Sequence, residues 1–502
     1  MTENLPSVAV VLFVKDEFSD IAGWIAWHAA LGVEAFFVFD DHSSDGTWEI
    51  LQAASKCYDI RLFRTDPLSE PDFYLRQRDS FMKAAALSRN EFDWIGFLDG
   101  DEYVYLRHFD SLPEFLWRFE DADGIAFSWR IHGSANRVVR PRITTIEAFP
   151  MHSTEALGDN VLVKSFVRPE KTSETYINPH WFDVPTERYA RPSGRLVESA
   201  NAVQEIEWSH GFVLHFICRS MEHYIQRIKR RLNADLSDSV GYWDHFDRND
   251  ETDAGPLRLV PRMEQFLAPI YEEAVGSAIR RLQSGQYGFE PAGRRETTLS
   301  PRTASVSWVA LRSYFDTCLY CLPGSATIVH ADGETAQREG LLPVIGYISD
   351  DTPDLIVLSI PGCNRSFMKF EGDARLMERA IFRLVTDENG AVALRNPVES
   401  FYMAFQPPEN GIGKIEVNRH QAREWEQIAL EPTELMDAGP QRSLPFAPGH
   451  GVSARDILHW LREEAPCPPS NDVFLRALYA AQPSVRAEIS RMVPGLLWNA
   501  LA

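Results

Sequence analysis

Cysteine is scarce. There are six in 502 residues (Cys57, Cys218, Cys318, Cys321, Cys363 and Cys467), and their spacing forms no disulfide framework, which fits a reducing compartment. Cys318 and Cys321 make a CxxC with no second pair beside it, so they read as buried strand cysteines rather than a zinc or redox site. Positive charge is also short: 50 Lys and Arg stand against 72 Asp and Glu, a formal net charge of -22. That balance excludes nucleic-acid binding as the main activity, because neutralising phosphates needs a basic field. It leaves room for a local basic pocket. Long apolar runs are missing too. Val8–Val14 is too short to span a bilayer and ends in charge, and the N-terminus lacks the basic start of a signal peptide. The expectation is a soluble cytoplasmic chain without a transmembrane segment.

What the chain does have is length for two or three domains and, in its first third, alternating strand and helix patterns. Val8–Val14, Glu34–Phe39, Ile60–Phe63 and Trp94–Leu98 read as strands; Ile21–Leu31, Thr47–Ala54 and Asp79–Leu87 carry helical signals. This order predicts a parallel α/β sheet with helices on both faces, whose ligands collect beyond the carboxyl ends of the strands. "VKDE", "DDHSSDGT" and "DGDE" all lie at such ends. If the last of these continues an extended strand, Asp99 and Asp101 point to one side, and two carboxylates there suit a hard cation, Mn2+ or Mg2+, bridging a diphosphate. Glu102 would point the other way and orient an Arg or a backbone amide. Asp41 is placed to accept from the imide N–H of a uracil. Asp45 reads as the N-cap of the helix opening at Thr47. For Asp16, base contact and strand-end solvation weigh equally.

The run "VKDEFSDIAGWIAWHAALGVEAFFVFDDHSSDGT", followed by "QRDSFMKAAALSRNEFDWIGFLDGDEYV", resembles the opening of glycosyltransferase family 2-like and family 92 proteins. The likeness continues through "SWRIHGS", "KSFVRPE", "NPHWFD" and "VLHFICRSMEHYIQRIKRR", over roughly residues 6–235. It implies a GT-A fold, a UDP-sugar donor, a glycan or other hydroxyl acceptor, and metal-dependent hexosyl transfer. Asp16 stands where the family usually has Asn. "IHGSANR" is looser than the family's loop, which bears on the acceptor rather than the reaction. In this frame Gln77 joins Asp16, Asp41 and Asp99 in donor binding. Lys164 and Arg168 would balance the diphosphate, and His215 and His180 are candidate metal ligands beside Asp99 and Asp101. Glu147, Glu155 and Asp159 follow the acceptor loop and are candidates for the base that deprotonates the acceptor. Arg227, Lys229, Arg230 and Arg231 read as a solvated helix face.

The domain plan is a GT-A domain over 1–290, an all-β domain over 306–432 and a helical tail over 452–502, with linkers at 285–305 and 433–451. In the all-β region "WVALRS", "LIVLSI" and "AVALRN" head three units of roughly forty residues, each with four strand patterns, the third around Ile328–Ala331, Arg375–Glu378 and Ile415–Val417 and the closing one at Leu341–Val344, Ala380–Val385 and Trp425–Leu430. Together they resemble a fascin-like β-trefoil. Two other functions stay open: a metal-dependent nucleotidyltransferase, and a carbohydrate-binding scaffold with a degenerate transferase domain. A homo-oligomer is compatible with the sequence.

Overall fold

A computed structural model describes residues 5–230, 239–287, 305–362, 367–370, 378–379, 381–398, 400–435, 444, 452–463 and 468–501. Most of both expected linkers, Arg231, Cys363, Cys467 and the strand pattern before Glu378 lie outside these residues. The chain forms two compact units, Met1–Leu267 and Ala268–Ala502. The division falls inside the helix Val260–Ser284, upstream of the expected limit at 290. Among the described residues no helix is long and apolar enough to cross a membrane.

In the first unit the elements run β1 (Val8–Val14), α1 (Ile21–Ala30), β2 (Ala35–Asp40), α2 (Thr47–Ala54), β3 (Asp59–Arg64), α3 (Phe73–Ser88), β4 (Trp94–Asp99), β5 (Glu102–Leu106), β6 (Gly124–Ile131), β7 (Val163–Val167), β8 (Gly211–His215) and α4 (Met221–Arg230), with shorter pieces between. The sheet order is β3-β2-β1-β4-β7-β6-β8-β5, and Tyr189–Ala190 adds a short ninth strand beside β6. β1 to β4 are parallel, and β1, β2 and β4 carry the near-continuous apolar sequences of strands covered on both faces. The sheet is mixed beyond them, because β7 runs antiparallel to β4 and β6, and β5 antiparallel to β8. Register fixes the working edge: Phe13 of β1 lies opposite Asp99 of β4, and Val14 opposite Asp40 of β2. The acidic strand ends therefore stand side by side.

Two local expectations are corrected. β4 stops at Asp99, Gly100 and Asp101 turn, and β5 begins at Glu102. Asp99 and Asp101 thus flank a turn, not one extended strand, and they face different partners. The N-cap of α2 is Gly46, whose φ of 108° is the left-handed conformation glycine tolerates. Asp45 instead accepts from the Thr47 amide and hydroxyl.

The second unit contains β9 (Val306–Ser313), β10 (Ile345–Ser349), β11 (Leu355–Ser359), β12 (Ile381–Thr386), β13 (Val392–Arg395) and β14 (Gln427–Pro432). These six antiparallel strands pair in sequence and close, β14 returning to β9. Closure removes free edges. Three antiparallel pairs accompany the ring: Cys318–Cys321 with Ile328–Ala331, Phe367–Met368 with Glu378–Arg379, and Tyr402–Phe405 with Ile412–Arg419. The closing strand of the first repeat lies at Ile345–Ser349, later than the expected Leu341–Val344. The helix Gly333–Arg338, capped by Asp332, occupies the chain before it. The tail forms helices Ala454–Glu463, Asn471–Ala480, Pro483–Met492 and Trp498–Leu501.

Candidate active site

The turn between β4 and β5 is built from charge pairs. Lys164 reaches it from β7, fully buried; its Nζ donates to Asp99 Oδ2 at 2.7 Å and lies 3.1 Å from Glu102 Oε2. Burial alone would lower the Lys164 ammonium, but Asp99 and Glu102 carry it above its ordinary value. Glu102 accepts the Asp99 backbone amide at 2.8 Å, which pins the turn from within. Burial pushes the Glu102 carboxyl up to about 7, against the pull of Lys164. Gln77 of α3 donates to Asp99 Oδ1 at 3.3 Å. Asp99 is the partly open member, with its side chain 32% exposed.

Asp101 looks the other way. Arg227 of α4 reaches its Oδ2 at 3.0 Å, and Nε2 of His215, the last residue of β8, lies 3.7 Å from Oδ1. Burial opposes ionisation of Asp101, but His215, Arg227 and Arg219 outweigh it and hold the carboxyl well below the usual range. Arg227 is thus not the solvated residue its basic run suggests. The apolar spacing of α4 that turns Tyr224 inward brings Arg227 half-buried to the site. Arg219 was not singled out by sequence. It is buried with a φ of 51°, donates to the Gly100 carbonyl at 3.2 Å, and pairs with Glu17 and Asp20. It fastens the loop after β1 to the turn after β4. Its only sequence signal is its place just after "FIC" in the last motif of the family resemblance.

The remaining expected residues divide. Asp16, with a φ of 53°, binds the loop after β2 through Ser43 and Ser44 at 2.8 Å each. Asp41 sits at the same edge, but both oxygens are taken: Arg76 of α3 binds them at 2.7 and 2.9 Å, and Thr65 adds a bond at 2.6 Å. Burial would raise the Asp41 carboxyl, and Arg76 and Thr65 bring it below its ordinary value. Sealed from solvent, Asp41 is placed to position its neighbours rather than to touch a base. His180 Nδ1 donates to the Val163 carbonyl, 3.1 Å away, and the ring packs on Trp129. Burial, reinforced by Lys164, pushes it down to about 3, so it is neutral. Arg168 is at the wrong end of β7 for a diphosphate: it stacks over Trp94, the first residue of β4, and donates to the Ala122 and Phe119 carbonyls. Glu147 closes a capping box with Thr144, and Asp159 pairs with His245 at 2.8 Å. Glu155 is exposed on a cleft bordering the Arg130 side of β6.

Asp99, Asp101 and His215 are the right donor types for a hard divalent cation. Their placement is another matter: among the described residues no group of three His, Cys, Asp or Glu side chains is gathered closely enough to hold an ion. Asp99 is committed to Lys164 and Asp101 to Arg227, so coordination by both requires those pairs to loosen.

Opposed acids and bases at the carboxyl ends of parallel strands, where an α/β sheet collects its ligands, make this a candidate enzyme site rather than a packing surface. Residues 7–240 match the family model of glycosyltransferase family 92. A glycosyltransferase family 92 protein of Oryza sativa subsp. japonica is 24% identical over 176 residues, 34% of this chain and 28% of that protein. One from Ricinus communis is 35% identical over 86 residues, 17% of this chain and 14% of that protein. The chain spans less than a third of the length of these curated relatives. A crystal structure of S. aureus TarS 1-349 is 12% identical with a TM-score of 0.24, covering 55% of this chain and 84% of that one, too low a score to equate the folds. The family match and the curated relatives both liken the first half of the chain to glycosyltransferase family 92.

Proposed function

We propose that the first unit is a GT-A-type transferase that moves a hexose from a UDP-sugar to a hydroxyl of a glycan or similar acceptor. The observation that carries this reading is the register that sets Asp99 beside the ends of β1 and β2, within the segment matching family 92. The donor lies across the loops after β1 and β2, where Asp16, Ser43 and Ser44 are tied together. Asp41, held by Arg76 and Thr65, keeps that edge in shape. Asp99 and Asp101, with His215 beside them, would hold Mn2+ or Mg2+, which when bound supplies positive charge to the departing diphosphate. Lys164 pairs with Asp99 and Glu102 and orients them, and Arg227 does the same for Asp101. Arg219 keeps the β4–β5 turn in register with the β1 loop. All three are positioning residues. The second unit is read as a β-trefoil, supported by its closed ring of six strands and three accompanying pairs.

The test is a panel of UDP-, GDP- and CDP-sugars with the purified chain, with Mn2+, Mg2+ or EDTA, scored by nucleoside diphosphate release and by transfer to hydroxyl acceptors. The reading expects UDP-sugar turnover that EDTA removes and Mn2+ restores. Release of pyrophosphate, or no turnover of any sugar nucleotide, sinks it.

A further inference from the structure

A second site lies on the other face of β6. Successive strand residues point to opposite sides. Trp129 faces His180 and His215, whereas Arg130 faces Phe212 and Asp253. On the Arg130 side opens a cleft of about 980 Å³, walled by the loops around 154–156, 191–195, 205–210 and 251–253. Arg107, Arg130, Arg191 and Arg195 line it, interleaved with the carboxylates Glu155, Glu205, Glu207, Glu251 and Asp253.

The floor and the rim differ. At the floor Arg130 is 1% exposed and Arg191 4%. Asp253 satisfies Arg130 Nη1 at 2.6 Å, and Glu205 satisfies Arg191 Nη1 at 2.6 Å. Arg130 Nη2 and Arg191 Nε have no partner. Unpaired donors on buried guanidinium groups are costly, and burial pushes the Arg130 guanidinium down to about 10 against the pull of Asp253. The floor therefore has surplus N–H donors, covered in this conformation, that only an acceptor group brought against them would meet. At the rim Glu155, Glu205 and Glu251 are exposed and have acceptors to offer hydroxyls. Trp208, partly exposed, lines the same cleft, its indole N–H bonded to the Trp129 carbonyl.

We propose that this cleft binds an acidic saccharide, a uronate-type unit of a glycan, apart from the strand-end site. The carboxylate takes the guanidinium donors of the floor, the planar fork matching its two oxygens. The ring hydroxyls donate to the rim carboxylates, and the apolar sugar face covers Trp208. A neutral sugar leaves the floor donors unmet, and a bare inorganic anion leaves the rim and Trp208 unused. Glu155 then belongs to a holding site rather than to deprotonation of the acceptor. The inference stands whether or not the donor is a UDP-sugar.

Calorimetry on the full chain with saturating UDP tests it, using a glucuronate-containing tetrasaccharide and the same tetrasaccharide with its carboxyls reduced to alcohols. One tetrasaccharide per chain is expected to bind with UDP present, and carboxyl reduction or Arg191→Gln to weaken it about tenfold or more. Arg195→Gln, at an exposed position that folding does not need, is expected to weaken it several-fold and to leave donor hydrolysis unchanged. Four results overturn the proposal: no binding at millimolar tetrasaccharide, equal binding of the reduced form, displacement by UDP, or binding untouched by Arg195→Gln. Competition by inorganic phosphate as strong as by free glucuronate would also overturn it, as a plain anion site. Loss of donor hydrolysis in the wild type bears only on the transferase reading.

Discussion

The two faces of the β6 neighbourhood solve opposite electrostatic problems. On one, carboxylates outnumber their nearest cations, and Lys164 and Arg227 are brought in to hold Asp99, Glu102 and Asp101. On the other, arginines are the core groups, and Asp253 and Glu205 hold them. The acidic face balances its charge from within yet leaves Asp99 partly open. The basic face ends with donors unmet. A charge balanced by the protein's own partner can be freed for a ligand only by moving that partner, whereas a covered, unmet donor has no partner to lose and needs only to be uncovered.

The sharpest way to break this comparison is to remove the cation of the acidic face. Lys164→Met keeps the bulk but leaves Asp99 and Glu102 without their shared partner. Loss of one member of a buried ion pair costs roughly 3–5 kcal/mol, which urea unfolding should report. Adding Glu102→Gln should recover part of that loss. A cost under about 1 kcal/mol would mean that the face is not held by Lys164.

Next in size is the chemistry. Asp101→Asn removes charge with hardly any change in volume, so the fold should persist while turnover drops. A loss of about 10³-fold, or about 4 kcal/mol of transition-state stabilisation, is expected in kcat at saturating metal. Unchanged Mn2+-dependent turnover would detach Asp101 from the reaction. Arg76→Lys sharpens the same face at smaller cost. It breaks a two-nitrogen grip on Asp41, and should raise the donor KM several-fold, about 1 kcal/mol, with kcat little changed. An unaltered KM would separate Asp41 from the donor edge.

The acidic face was legible in the sequence because its acids are contiguous. "FLDGDE" ends an apolar strand, and strand ends of an α/β sheet meet by topology. Lys164 was reached through the resemblance, although its role differs, since it compensates acids rather than phosphate. The turn at Gly100 was missed because a DxD read as strand and a DxD read as turn have the same letters. Arg219 and Arg227 were missed because their partners lie about a hundred residues or more away, and a basic run on a helix looks solvated whichever face it shows. The basic face was illegible for the same reason: Arg107, Arg130, Arg191 and Asp253 come from separate segments with no shared pattern. In the second unit the apolar headings of the repeats placed three of the six ring strands, β9, β11 and β13, because each repeat enters the ring with the same apolar alternation. The helix Gly333–Arg338 displaced the one that was misplaced.

The smallest effect belongs to the basic face and tests its sign. Burial would raise the Asp253 carboxyl, but its bond to Arg130 and the Gly255 amide bring it below the ordinary value. A carboxyl lowered on folding contributes stability that is present above its unfolded pKa of about 3.9 and is lost as pH falls through the folded value. Asp253→Asn removes that contribution and leaves Arg130 with one acceptor fewer. At about pH 7 the variant should be less stable by about 1–3 kcal/mol, read as a lower urea midpoint. As pH falls through the lowered folded value the wild type protonates Asp253 as well, and the gap between the two proteins should narrow. A gap that stays constant across this range would mean that Asp253 acts by shape rather than charge. The carboxyl-bearing saccharide offers a second reading on the same variant. If Arg130 is a floor donor, losing its internal acceptor frees Nη1, and the tetrasaccharide should bind Asp253→Asn at least as tightly as the wild type despite the lower stability. Weaker binding would place Asp253, not Arg130, in contact with the sugar.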